Sequence, residues 1–194
     1  MQAAYRFASE RQLPNLAAAA LCDLAEIGQQ QGDKENARAA LDRGVALLEG
    51  RETPEASSVR IRLYNRLGRL ELEEGNMAGA IAVFTQALSL AERLEDRYQE
   101  AGLLGNLGGA YARRGAMDRA LHFTERAQRA SDALGDQIGY ARQSFNLALL
   151  HLGLKHKDRA EGLLRTSYNA ARSAGWREGL AMSTAALGKL GARL

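Results

Sequence analysis

The chain has 194 residues, of which 46% are apolar and 25% charged, and its net charge is +3. That charge is small for the length, and Arg and Glu are interspersed along it rather than clustered, which argues against a nucleic-acid surface. No apolar run approaches the roughly 18–20 residues that span a bilayer, the first residues lack the basic and apolar regions of a secretory signal, and one cysteine, Cys22, excludes an intrachain disulfide. The expected location is the cytoplasm, and the richness in Ala and Arg suggests a bacterial genome.

In chain order, every strong signal is helical. Residues 1–10 carry a helical pattern too short for a pairing helix. Leu13–Gln31 and Lys34–Leu48 then form a first helix pair, separated by Gly32-Asp33. An irregular stretch, Glu49–Glu55, precedes a second pair, Ala56–Glu74 and Met77–Leu94, turned at Gly75-Asn76. In that second helix Ile81, Phe84, Ala87, Leu88, Ala91 and Leu94 make one apolar stripe of a 3.6-residue period. A third pair covers Arg97–Arg114 and Met117–Leu134, and a fourth Ile138–Leu154 and Lys157–Ala174. A single helix, Arg177–Ala192, follows. No alternating β-branched run appears, and Pro14 and Pro54 are expected at junctions, because a helix interior excludes proline.

The pairs repeat. Leu67-Gly68, Leu107-Gly108, Leu147-Ala148 and Leu187-Gly188 recur at intervals of 40 residues, and Ala80, Ala120 and Ala160 recur with them. A fixed period in this range predicts stacked supersecondary units. Small residues at these positions let the two helices of a pair approach closely. Repeat three carries Leu107-Gly108, Tyr111, Gly115, Ala120 and Ala127; repeat two carries Leu67-Gly68, Gly75, Ala80, Phe84 and Ala87. Repeat four keeps Leu147-Ala148, His151, Ala160 and Leu164, and repeat one is weaker, with Leu24-Ala25, Gly32, Ala37 and Leu41.

Over nearly its whole length this pattern resembles the tetratricopeptide repeat: Leu-Gly, an aromatic, a turn, then Ala, an aromatic and Ala. The period of 40 exceeds the ordinary 34, as in the long-repeat branch that includes kinesin light chains, Leu-Gly-Asn adaptors and sensor regions of bacterial transcription regulators. The resemblance implies an all-α, right-handed α-solenoid of antiparallel helix pairs. The expected organisation is one repeat domain: residues 1–12 as the remnant of a preceding repeat, repeats at 13–55, 56–96, 97–136 and 137–176, and an unpaired helix at 177–194. Such a chain is expected to be a segment of a longer protein, with terminal apolar faces that could support a homodimer.

The resemblance also implies a function: a groove lined by the first helix of each repeat that binds a protein or an extended, acidic peptide. The alternative is a ligand- or peptide-sensing segment of a bacterial signalling or transcription regulator. Carried over by register, the groove residues are Arg62, Asn65, Arg66 and Arg69 in repeat two, Gly105, Asn106, Gly109 and Arg113 in repeat three, and Arg142, Asn146 and Leu149 in repeat four. Asn106 and Asn146 occupy one position in consecutive repeats, and an amide both donates to and accepts from a peptide unit. Arginine's planar fork suits carboxylates, although pairing with neighbouring acids on a solvated face is the plain alternative. Gly102, Gly105 and Gly109 lie on one stripe, where a ligand backbone could approach closely. RNA-binding repeats are disfavoured by the period and by Asp23 and Glu26.

Neither catalysis, a cofactor nor a metal site is expected. His151 occupies the family's aromatic position. His151 and His156 are five residues apart, which on a helix places them on different faces and argues against a metal pair. Cys22 has no activating neighbour in sequence, and Trp176 is expected to staple adjacent repeats.

Overall fold

The computed structural model describes residues 2–192. It contains α1 (Gln2–Glu10), α2 (Pro14–Gln30), α3 (Lys34–Leu47), α4 (Pro54–Glu73), α5 (Met77–Arg93), α6 (Arg97–Arg113), α7 (Met117–Ala133), α8 (Gln137–Gly153), α9 (Lys157–Ser173) and α10 (Arg177–Lys189). No strand occurs among the described residues. The chain divides into two compact units, Met1–Asp96 and Arg97–Leu194.

The helix ends follow local chemistry. Pro14 and Pro54 are not between helices but inside the first turns of α2 and α4. There a missing N–H costs nothing, because the first four amides have no partner within the helix. Thr53 caps α4 by accepting from the Ala56 amide at 3.2 Å, so the helix begins two residues before the expected Ala56. Asp33, Asn76 and Asp136 cap α3, α5 and α8 in the same way. The first helices of pairs two and three end in left-handed glycines, Gly75 and Gly115. At the first of these the Asn76 amide donates to the Glu71 carbonyl at 2.8 Å, closing a Schellman turn. The equivalent residue after α8 is Lys155, held at φ 63°.

In the first unit, α2 packs on α3, α4 on α5, and α3 and α2 on α4. Its core gathers Ala18, Cys22, Ala25, Ala37, Leu41, Leu63 and Leu70. Gly68 is explained by Phe84, which is fully buried: a Cβ on Gly68 would lie 2.5 Å from the Phe84 ring.

In the second unit α6 packs on α7 and α8 on α9, with α10 closing over α9. Thr124 fills the place of Phe84: a Cβ on Gly108 would collide with its Oγ1. Ala148, Ala160, Leu164 and Leu187 form one buried cluster. Trp176 packs with Tyr140 and Leu180 against Ala141, Ala170 and Ala171, joining α8, α9 and α10 as expected of a staple. A Cβ on Gly188 meets nothing within 4 Å, because no described helix follows α10. Among the described residues no helix is long and apolar enough to cross a membrane.

Candidate peptide-binding face

In the first unit the expected groove residues stand on α4, facing α2. Helical spacing puts Arg62 and Arg66 one turn apart on a single face. Arg62 Nη2 donates to Asp23 Oδ1 at 2.7 Å, and Arg66 Nη2 donates to Glu26 Oε2 at 2.5 Å. All four side chains keep contact with solvent. Each pair therefore contributes at most about 1 kcal/mol, but together they neutralise much of the positive charge the spacing suggested. Asn65 is half-buried and already engaged, and Arg69 is exposed. Cys22, on α2, is fully buried. Burial pushes its thiol up, opposed by the charges of Arg66 and Arg62, which keeps it protonated and unreactive.

In the second unit the residues stand on α6 and α8. Gly102 and Gly109 are exposed, and a Cβ at either would meet nothing within 4 Å. Gly105 differs. It is buried, and a Cβ there would lie 2.5 Å from Gln143 Nε2 of α8. Gly105 is therefore a packing residue that admits Gln143, itself only 5% exposed. Gln143 Oε1 in turn accepts from Asn146 Nδ2 at 3.2 Å. Asn106 and Asn146 are both half-buried at equivalent turns, and Asn106 is also engaged. Leu149 is 48% exposed on the same face of α8. Arg142 is exposed and lies over the Trp176 ring at 5.5 Å, while Arg113, in the last turn of α6, is already engaged.

The role of Gln143 escaped the sequence reading. Its signal was present: the positions 40 residues apart read Leu63, Leu103, Gln143 and Ser183, so an amide replaces a core leucine in the third. The histidines hold the second surprise. The spacing argument assumed a continuous helix, but α8 ends at Gly153 and α9 begins at Lys157. The turn folds His156 back onto His151, and their Nδ1 atoms lie 3.3 Å apart. His151 is 7% exposed, which agrees with a packing role. Burial is the largest influence lowering its pKa, followed by the charges of Arg159 and His156. Among the described residues no three His, Cys, Asp or Glu side chains converge to hold a metal.

Helix pairs with a small residue at each crossing and a capped glycine turn define a helical-repeat scaffold of the α-solenoid class. Two family models, both described as Tetratricopeptide repeat, match residues 59–133 and 18–47, together more than half of the chain. The chain belongs to the tetratricopeptide repeat family. No curated protein sequence matches it significantly. Solved structures share the fold at low identity. BtubC (BKLC) from P. vanneervenii is 18% identical, with a TM-score of 0.80 over 98% of this chain and 80% of that one. Aspartyl phosphate phosphatase F from Bacillus subtilis is 15% identical, with a TM-score of 0.77 over 89% of this chain and 48% of the phosphatase. A signal transduction ATPase with numerous domains and a tetratricopeptide repeat sensor, from Pyrococcus horikoshii, is 16% identical, with a TM-score of 0.76 over 87% of this chain. The chain spans 26% of that ATPase's length.

Proposed function

We propose that the exposed face of the first helices of the second unit, α6 and α8, is a binding surface for a protein segment or extended peptide. One observation carries this reading: on either side of Asn106 the face of α6 is bare at Gly102 and Gly109, where a Cβ would have open space. Glycine in a helix interior costs about 1 kcal/mol relative to alanine, and packing does not require it at these two positions. A bare helix face around Asn106 lets a partner's main chain come close, while Asn106 and the equivalent Asn146 of α8 pair with its peptide groups. Exposed Leu149 adds an apolar contact beside them. An acidic peptide on the first unit would have to displace Asp23 and Glu26 from Arg62 and Arg66, so acidity is the weaker part of the expectation.

The alternative, a sensing segment of a larger signalling protein, draws on the likeness to the sensor-bearing ATPase and to the phosphatase. In both readings the same face is the contact surface. The test is selection of binders from a random peptide library on the purified chain, followed by fluorescence anisotropy with the selected peptide. Asn106→Ala with Asn146→Ala should weaken binding about tenfold or more, each lost amide pair contributing about 1 kcal/mol, with unchanged helicity. Gly109→Leu should block binding by filling the bare turn. Unchanged affinity in both variants would sink the reading.

A further inference from the structure

The α8–α9 turn holds an arrangement that the peptide face does not use. His151 lies in the last turn of α8, and His156 is the N-cap residue of α9 with no capping hydrogen bond from its side chain. The Schellman turn between them closes with the His156 amide donating to the His151 carbonyl at 2.8 Å. This fixes both rings on one side of the turn, with centroids 5.6 Å apart. Their Nδ1 atoms are 3.3 Å apart. Two nitrogens bound at 2.0–2.1 Å in tetrahedral geometry sit about 3.3–3.4 Å from each other, so this is the bite of a chelate. An open pocket of about 410 Å³ lies on the His156 side of the pair, lined by Lys155, His156, Lys157, Asp158 and Arg159 but not by His151.

We infer that His151 and His156 form a two-imidazole chelate for a divalent transition-metal ion. The class of metal follows from the donors. Imidazole nitrogen suits Zn²⁺, Ni²⁺ and Cu²⁺, while Mg²⁺ and Ca²⁺ require oxygen. No third His, Cys, Asp or Glu completes the set among the described residues, so water fills the remaining positions and the ion is exchangeable. The charges around the pair are mixed. Lys155, Lys157 and Arg159 oppose a cation, while Asp158 on α9 and Glu125 on α7 favour it. Without metal one ring donates to the other through the shared Nδ1 proton. On binding, that proton moves to Nε2 of the donor ring, and both Nδ1 lone pairs turn to the ion with no net proton release from neutral rings.

The test is calorimetric titration of the full chain with ZnCl₂ and NiCl₂, with MgCl₂ as the negative control, and nitrogen NMR of the imidazole rings. The expected result is one saturable site, shifted Nδ1 resonances at His151 and His156, and a rise in Tm with metal, because a ligand bound only by the folded state stabilises it. His156→Ala, at an exposed position, and His151→Tyr, which restores the aromatic found at Tyr111, should each weaken binding by about a hundredfold through loss of the chelate. His122→Ala should bind as the parent does. A loss smaller than tenfold in His156→Ala, or no saturable site on the parent chain, overturns the assignment. If His151→Tyr loses helicity, His156→Ala and the Nδ1 shifts decide alone.

Discussion

Gly68 and Gly109 are both glycines on a first helix, yet they do opposite things. Gly68 faces Phe84 with no space for a methyl group, and Gly109 faces open space. Alanine at Gly102 or Gly109 should therefore raise stability by about 1 kcal/mol each, by removing the helix penalty of glycine. Alanine at Gly68 should lower it by about 1–3 kcal/mol through overpacking. Urea denaturation of the three variants checks this, and a destabilised Gly109→Ala would mean that the face is packed. The arginines teach a related lesson at the same scale. Arg62 and Arg66 were identifiable as a pair one turn apart, but their carboxylate partners lie 39 and 40 residues away in sequence, in the preceding first helix. Only packing of α2 on α4 turned a basic patch into two ion pairs.

At the scale of the element, the turn residues were largely legible, because glycine and Asx residues mark helix stops and caps by their own backbone preferences. The starts were less so. Pro54 and Thr53 extend α4 backward, a cap that the apolar stripe does not report. The α8–α9 turn was placed correctly, between Leu154 and Lys157, but the two histidines flanking it were judged as if they shared one helix. Lys155 stands where Gly75 and Gly115 stand in the earlier repeats, and the left-handed backbone there reverses the chain regardless. Burial of His151 at the end of α8 couples stability to pH. Burial lowers its pKa below the unfolded value of about 6.5. The unfolded chain then binds more protons than the folded one as pH falls, and stability rises with pH wherever that holds. Stability should therefore drop as pH falls below about 6.5, with the loss levelling off below the folded pKa. His151→Tyr should flatten that part of the profile in urea midpoints measured from pH 7.5 to 5; an unaltered slope would assign it to other groups.

At the scale of the whole molecule, each helix of a repeat protein touches mainly its neighbours, so stability is close to a sum of local terms. In the second unit Leu164 is fully buried in the cluster that joins α8, α9 and α10. Leu164→Ala should cost about 2–5 kcal/mol. Hydrogen exchange should quicken most in those three helices and less in α6, which touches α8 but neither α9 nor α10. Uniform quickening through the second unit would show instead that it unfolds as one block.

The period of 40 residues, the helix pairs and the family could be derived from residues alone, since spacing along one helix and the recurrence of small residues are properties of the chain. The candidate face came only as a register carried over from the family resemblance. What fills each position could not be derived in either way. Whether a glycine is bare or covered, whether an arginine is paired, and whether two histidines five apart meet are set by side chains from other helices. Those contacts join residues distant in sequence or across a chain reversal, and periodicity carries no information about them.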